Sequence, residues 1–253
     1  MISAIILGAG KSERFGEKKI FKTLKGIKVI DFSISKFLKV GVDLIILAFQ
    51  KEDQDSMQDI ISKYKYAQIV LTEGGKTRWQ SFENSFLELR KKTSIQQDDI
   101  LIEHDAARPL FSVETLLRFI NELKKNPAIE GIIPFITPVE TVRTIEIKKY
   151  ETSKESIYEE TIFLQEIPRN NVALIQTPQV FRAKAVEKLL DGNKEEFADL
   201  AGIFFRNKRN IIGLPGDRRN IKITYKEDLH IAEALVSDEE IEIVREMRTE
   251  KRT

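Results

Sequence analysis

The chain has 253 residues, 42% apolar and 32% charged, enough for one large core or a core with an appendage. Lys+Arg 41 against Asp+Glu 40 leaves a net charge of +1, which offers nucleic acid or an anionic membrane no bulk attraction. The absence of cysteine excludes disulfides, thiolate zinc sites and cysteine nucleophiles, and two histidines, His104 and His230, are too few for a multi-histidine metal site.

A strand is expected from the second residue onward, with no charged leader before it, and no apolar run approaches the ~20 residues that cross a bilayer. These features predict a soluble cytoplasmic protein. Short apolar runs at Ala4–Leu7, Leu44–Phe49, Gln68–Leu71, Ile100–His104 and Gly131–Pro134 read as buried strands. Between them, Val29–Leu38, Gln54–Tyr64, Thr77–Arg90 and Val113–Lys124 carry helical patterns. Strand–helix alternation at this spacing predicts an α/β fold, a Rossmann-like and mostly parallel sheet with helices on both faces. Ligands of such sheets bind beyond the carboxyl ends of the strands, so the loops after Leu7, Leu71 and His104 are the places to search.

The pattern changes from about Pro138 to Asn171, where Thr141–Lys148 and Thr161–Ile167 flank a long polar connection; this reads as a protruding two-stranded β-arm. Helices are expected at Ala183–Leu190, Glu195–Phe205 and Glu227–Leu235, with strands at Ile211–Leu214 and Ile221–Thr224. A single domain thus spans residues 1–236, and the densely charged tail 237–253 reads as a solvated, fraying helix without function.

Three strand ends carry motifs suited to phosphate chemistry. Gly8-Ala9-Gly10-Lys11-Ser12 follows the first strand, and its small residues let backbone N–H groups approach an anion. It is not a P-loop, because that motif requires glycine where Ile5 stands, and Gly8, Gly10 and Ser12 do not complete a dinucleotide fingerprint. Arg14, Lys18, Lys19 and Lys22 follow, cations able to cover phosphate oxygens as charge builds. Glu73-Gly74-Gly75-Lys76-Thr77-Arg78 opens a helix after the third strand, where backbone amides and the Ser81 hydroxyl can read a nucleobase edge. Asp105, in His104-Asp105-Ala106-Ala107-Arg108-Pro109, is a hard-oxygen ligand suited to Mg²⁺, with Arg108 near enough to hold the loop. Lys222 in Asn220-Ile221-Lys222-Ile223-Thr224 lies in an apolar stretch and is costly there unless it meets an anion.

With Gln176-Thr177-Pro178-Gln179, these segments occur in an order and spacing that resemble the 2-C-methyl-D-erythritol 4-phosphate cytidylyltransferase family, from residue 2 to about 236. The resemblance implies transfer of CMP from CTP to 2-C-methyl-D-erythritol 4-phosphate, with Mg²⁺ and release of pyrophosphate. It implies that Arg14, Lys19 and Lys222 stabilise the transition state and that Asp105 holds the metal. Ala9, Gly75 and Ser81 would sit at the cytosine, Ala107 near the ribose, and Gly10 in the same nucleotide-binding loop. Thr141 and Arg169 would reach the acceptor from the arm, across a homodimer interface. No catalytic base is expected, since a phosphate monoester is already an anionic nucleophile and the task is positioning and charge neutralisation.

Three positions depart from the family pattern: Ser12 in place of glycine, Lys18 in place of proline, and Ala198 in place of threonine before Asp199. The nearest alternative is a ribitol 5-phosphate cytidylyltransferase, against which Ala106-Ala107 speaks. A catalytically silent nucleotide-binding module is the alternative of another class, and the joint presence of Arg14, Lys19, Asp105 and Lys222 speaks against it.

Overall fold

The computed structural model describes residues 1–151 and 157–249. Its first strand, Ile2–Leu7 (β1), runs into the glycine loop, and a short hairpin follows, Thr23–Leu24 (β2) with Ile27–Lys28 (β3). Helices and strands then alternate: Val29–Val40 (α1), Leu44–Phe49 (β4), Gln54–Ile61 (α2) and Ile69–Glu73 (β5). Arg78–Lys92 (α3), Ile100–Asp105 (β6), Val113–Lys125 (α4) and Gly131–Ile136 (β7) continue the alternation. The chain leaves the body as the hairpin Val142–Glu151 (β8) and Ile157–Ile167 (β9), returning through Leu174–Ile175 (β10) and Gln179–Arg182 (β11). Ala183–Leu190 (α5), Leu200–Arg206 (α6), Ile211–Pro215 (β12), Lys226–Leu235 (α7) and Asp238–Thr249 (α8) complete it.

The eight-stranded sheet has β1 at its heart, parallel to β4 on one side and β6 on the other, with β5 beyond β4. Beyond β6, the antiparallel β11 joins it to β7, whose far side takes the parallel β12. Alternate strand residues feed two cores, as a strand's two-residue period requires. Ala4, Ile6, Ile45 and Leu47 pack against α1, α2 and α4, whereas Ile5, Leu44, Ile46 and Leu101 pack against α3, α5 and α6. Both faces are therefore covered, and the expected α/β architecture stands.

Local chemistry explains several boundaries. Gly41 takes a left-handed φ of 89° and its N–H meets the Leu38 and Phe37 carbonyls, closing α1. Thr77 and Ser112 cap α3 and α4 by accepting from the Gln80 and Thr115 backbone N–H groups at 3.1 Å each.

The structure corrects four expectations. Residues 220–224 form an extended segment outside any ladder, tied by Ile223 N–H to the Ala107 carbonyl at 2.9 Å. Helix α6 starts only at Leu200, because Asp199 caps it by accepting from Gly202 N–H at 3.1 Å. The arm strands are longer than expected, and what remains of the polar connection, residues 152–156, lies outside the described residues. The largest correction concerns the C-terminal tail, whose α8 lies against α1 with Val244 fully buried and Ile243 nearly so.

Helix α8 is held by charge as well as by apolar contact. Lys36 of α1 is 2% exposed and donates to Glu240 at 2.6 Å and to the Pro109 and Phe111 carbonyls at 2.9 and 3.0 Å. Arg248 reaches the buried Asp31 at 2.7 Å, and Tyr64 donates to the other oxygen of that carboxylate at 2.8 Å. The dense charge of the tail hides this face, and only its apolar spacing marks it. Glu240→Ala, which strips a buried ammonium of its counter-ion, should lower the unfolding free energy by about 3 kcal/mol in urea titration. Glu246→Ala, which removes the exposed partner of Lys39, should lower it by less than about 1 kcal/mol.

Candidate active site

Loops at the carboxyl ends of β1, β5 and β6 enclose a cleft of about 480 Å³. Ala9, Gly10, Arg14, Lys19, Gly75, Ser81, Asp105, Ala107 and Lys222 all line it. The other two expected site residues do not. Thr141 and Arg169 lie exposed at the base of the arm, where Arg169 donates to the Val139 carbonyl at 2.8 Å.

The glycine loop owes its shape to close approaches. Gly8 N–H donates to the Ala48 carbonyl, and a Cβ on Gly8 would stand 2.8 Å from that oxygen. Gln50, from the end of β4, donates to the Ala9 carbonyl and pins the loop from beneath. Ser12 adopts a left-handed φ of 57°, and its carbonyl accepts from Phe15 and Gly16 N–H, both at 2.9 Å. That backbone explains why glycine suits this position. Lys18, the second departure from the family pattern, turns away from the cleft and pairs with Asp53 and Glu52 at 2.9 and 3.3 Å.

On the opposite wall, a Cβ on Gly74 would meet the Ala9 Cβ at 2.2 Å, so the two loops touch only because residue 74 has no side chain. The Ser81 hydroxyl accepts from Gly75 N–H at 3.0 Å and donates to the Thr77 carbonyl at 2.9 Å. Its first task is thus to fold the loop, which leaves one lone pair unused.

Charge converges on Asp105 at the end of β6. Lys222 donates to its Oδ2 at 2.7 Å and Arg78 Nε to its Oδ1 at 2.9 Å. Burial alone would raise this carboxyl; Arg78, Lys222 and Arg108 overrule burial and hold it well below the usual carboxylate range. Arg108 itself stands 4.0 Å from Asp105 and donates instead to the Asn220 carbonyl at 2.9 Å, so it holds the segment that carries Lys222. Burial, then the neighbouring Lys222 and Arg14, push the Lys19 ammonium down. Arg14 extends over the Tyr225 ring, 5.7 Å from its centroid.

Arg78 is the residue that sequence reasoning named without a role. It sits at the first position of α3 and links Asp105 to the fully buried Glu103 at 2.7 Å and to the Ala198 carbonyl at 3.1 Å. Glu103 in turn accepts from Leu200 N–H at 3.3 Å, so the start of α6 is tied to the same centre. The only sequence signal was a glutamate inside an apolar strand, which demands a cation.

The donor set fits one divalent cation held jointly with phosphates. Asp105 is a carboxylate held well below its usual pKa range whose Oδ2 meets a partly exposed Lys222, and Mg²⁺ is commonly held by one or two carboxylates plus phosphate oxygens. No group of three or more His, Asp or Glu able to hold a metal occurs among the described residues, so the phosphates would have to complete the shell.

With this geometry in place, comparison with known proteins is informative. The family profile of 2-C-methyl-D-erythritol 4-phosphate cytidylyltransferase (IspD) matches residues 2–238. The chain belongs to this family. A 2-C-methyl-D-erythritol 4-phosphate cytidylyltransferase of Thermosipho melanesiensis is 33% identical over 232 residues, covering 90% of this chain and 94% of the relative. One from Dictyoglomus thermophilum is 30% identical over 249 residues, covering 95% and 98%. Among solved structures, the 4-diphosphocytidyl-2C-methyl-D-erythritol synthase of Anaerococcus prevotii superposes with a TM-score of 0.71 at 30% identity, covering 92% of this chain and 94% of that one. The fold expected from the family resemblance is therefore the fold observed.

The central role of Arg78 is open to direct measurement. Arg78→Met leaves Glu103 buried without its cation and should lower the unfolding free energy by about 3 kcal/mol in urea titration. A loss below about 1 kcal/mol would mean that the carboxylates find other partners.

Proposed function

We propose that this chain transfers the cytidylyl group of CTP to 2-C-methyl-D-erythritol 4-phosphate and releases pyrophosphate. One observation carries the reading: Arg14, Lys19 and Lys222 meet in one cleft, and among the described residues neither Arg14 nor Lys19 forms an ion pair there. Cations that repel one another in a half-buried site are matched by a polyanion. A nucleoside triphosphate receiving a phosphomonoester brings that charge.

An acceptor phosphate oxygen attacks the α-phosphorus, the bond from that phosphorus to the bridging β-oxygen breaks, and pyrophosphate leaves with the electron pair. Arg14, Lys19 and Lys222 hold the phosphate oxygens as their charge redistributes, and no side chain needs to take a proton. Asp105 would hold Mg²⁺, which when bound neutralises charge on the phosphate oxygens. The free lone pair of Ser81 can accept from the exocyclic amine of cytosine, which uracil lacks, while the contact of Ala9 with Gly74 keeps the base site small.

The arm supports a homodimer. Ile145, Ile147 and Phe163 share one face of the hairpin, register-paired through Ile145 and Phe163, and Phe163 is 70% exposed. A two-stranded hairpin with a bare apolar face requires a partner surface. Thr141 and Arg169, absent from their own cleft, would then reach the acceptor in the partner's cleft.

Pyrophosphate release with CTP and a panel of polyol phosphates, ribitol 5-phosphate included, tests the assignment. Turnover should require CTP in preference to ATP and 2-C-methyl-D-erythritol 4-phosphate in preference to the others. Equal use of ATP, or faster use of ribitol 5-phosphate, would overturn it. Lys222→Ala should lower kcat by roughly 10²–10³-fold with a far smaller change in KM for CTP, as for other donors aimed at transition-state charge. Mixing Lys222→Ala with Arg169→Ala subunits should restore about a quarter of wild-type activity, because half the dimers are mixed and each regains one intact site. If mixed dimers form and stay inactive, both residues serve one chain's site and the shared site is wrong.

A further inference from the structure

Gln176 and Thr177 lie between the two groups whose spacing matters most, yet neither lines the cleft. Both are buried, at 3% and 4% exposure. Thr177 Oγ1 accepts from Asp105 N–H at 3.0 Å and lies 3.1 Å from His104 Nδ1. His104 Nε2 lies 3.1 Å from the Arg108 carbonyl oxygen, and the imidazole is fully buried against Phe37 and Phe111.

The tautomer follows from elementary bookkeeping of donors. Nε2 faces the Arg108 carbonyl at 3.1 Å and the Ser33 hydroxyl at 3.3 Å. A carbonyl oxygen only accepts, whereas a hydroxyl can accept as well as donate, so Nε2 carries the proton. A neutral ring then has a bare Nδ1, which must accept, and the one donor beside it is the Thr177 hydroxyl. The chain of bonds is therefore directional: Asp105 N–H to Thr177 Oγ1, Thr177 O–H to His104 Nδ1, and His104 Nε2–H to the Arg108 carbonyl. It clamps the turn 105–108 at both ends.

Gln176 does the equivalent work for the segment bearing Lys222. Its carboxamide oxygen accepts from Asp217 N–H at 3.1 Å, and its amide donates to the Asp217 and Asn220 carbonyls at 2.8 and 3.3 Å. Asn220 returns a bond to the Thr177 carbonyl at 2.8 Å. A Cβ on Gly216 would fall 2.2 Å from the Gln176 oxygen, so the chain has been kept bare where that carboxamide enters.

We propose that Gln176 and Thr177 are positioning residues that set the separation of Asp105 from Lys222, with the Nε2–H tautomer of His104 extending the clamp to Arg108. The inference rests on the reading of Asp105 and Lys222 as groups of the phosphate site. Two adjacent residues thereby hold the metal-side carboxylate and the phosphate-side cation in one frame without touching substrate.

Only two histidines are present, and His230 is exposed, so long-range ¹H–¹⁵N spectra of the imidazoles resolve His104 directly. In the wild-type protein His104 should show the Nε2–H tautomer with a hydrogen-bonded Nδ1. An Nδ1–H tautomer overturns the proposal without any variant. Thr177→Val, which keeps the shape and removes the hydroxyl, should shift the Nδ1 resonance and lower kcat at least ~10-fold while KM for CTP stays within ~3-fold. Thr177→Ser, which keeps the hydroxyl, should restore both readouts. Gln176→Leu should lower kcat comparably and leave the His104 spectrum as in wild type. Wild-type kcat in Thr177→Val would overturn the positioning role even with the resonance shifted. A wild-type protein inactive on CTP would count against the function reading, while its own imidazole spectrum still decides the bond chain.

Discussion

Asp105 sits where burial and charge pull in opposite directions, and the balance between them organises the surrounding loops. A carboxylate buried at the end of β6 requires cations, and the fold supplies them from the start of α3 and from the extended segment after β12. Each of those cations is itself tied down, Arg78 through Glu103 and Lys222 through the bonds that hold residues 217–223. The carboxylate thus acts as the common origin from which two distant stretches of chain are located. Removing it would leave several positive groups facing one another in a half-buried space.

This arrangement fits phosphoryl chemistry better than acid–base chemistry. The fully buried histidine beside Asp105 has its pKa pushed down to about 3, chiefly by burial, so it stays neutral across the ordinary pH range. It serves geometry and does not shuttle protons. What the cleft offers a ligand is a fixed field, arranged before the ligand arrives, which is the form of electrostatic help that costs least reorganisation during reaction.

The sheet and the cleft were legible because their signals are local. β1, β4 and β6 are largely apolar runs that stop at glycine, glutamine or aspartate, and the residue types after each stop suit anions. The hairpin β2–β3 was not seen, since its turn is Lys25-Gly26, with φ of 46° and 80°, flanked by strands of two residues each. The role of Arg78 was hidden because its partners lie far along the chain, and no periodicity reports a salt bridge. Gln176 and Thr177 were quiet for the same reason: uncharged side chains whose meaning lies wholly in what they touch. The C-terminal helix misled by composition, its charges drawing attention from the few apolar residues that dock it. Thr141 and Arg169 lie outside the cleft of their own chain, so their expected place at the acceptor is not one that a single chain can display.

The bond between Lys36 and Glu240 spans 204 positions of sequence. A ribosome adding 5–20 residues each second needs roughly 10–40 s to travel that distance. During that interval the emerging α1 carries an ammonium group destined for the interior with no counter-ion yet made, and dehydrating it alone costs several kcal/mol. Full seating of α1 therefore calls for α8 to be in place. Its closure depends on α8, so a chain lacking that helix would be left with an open seam along α1 instead of a slightly smaller domain.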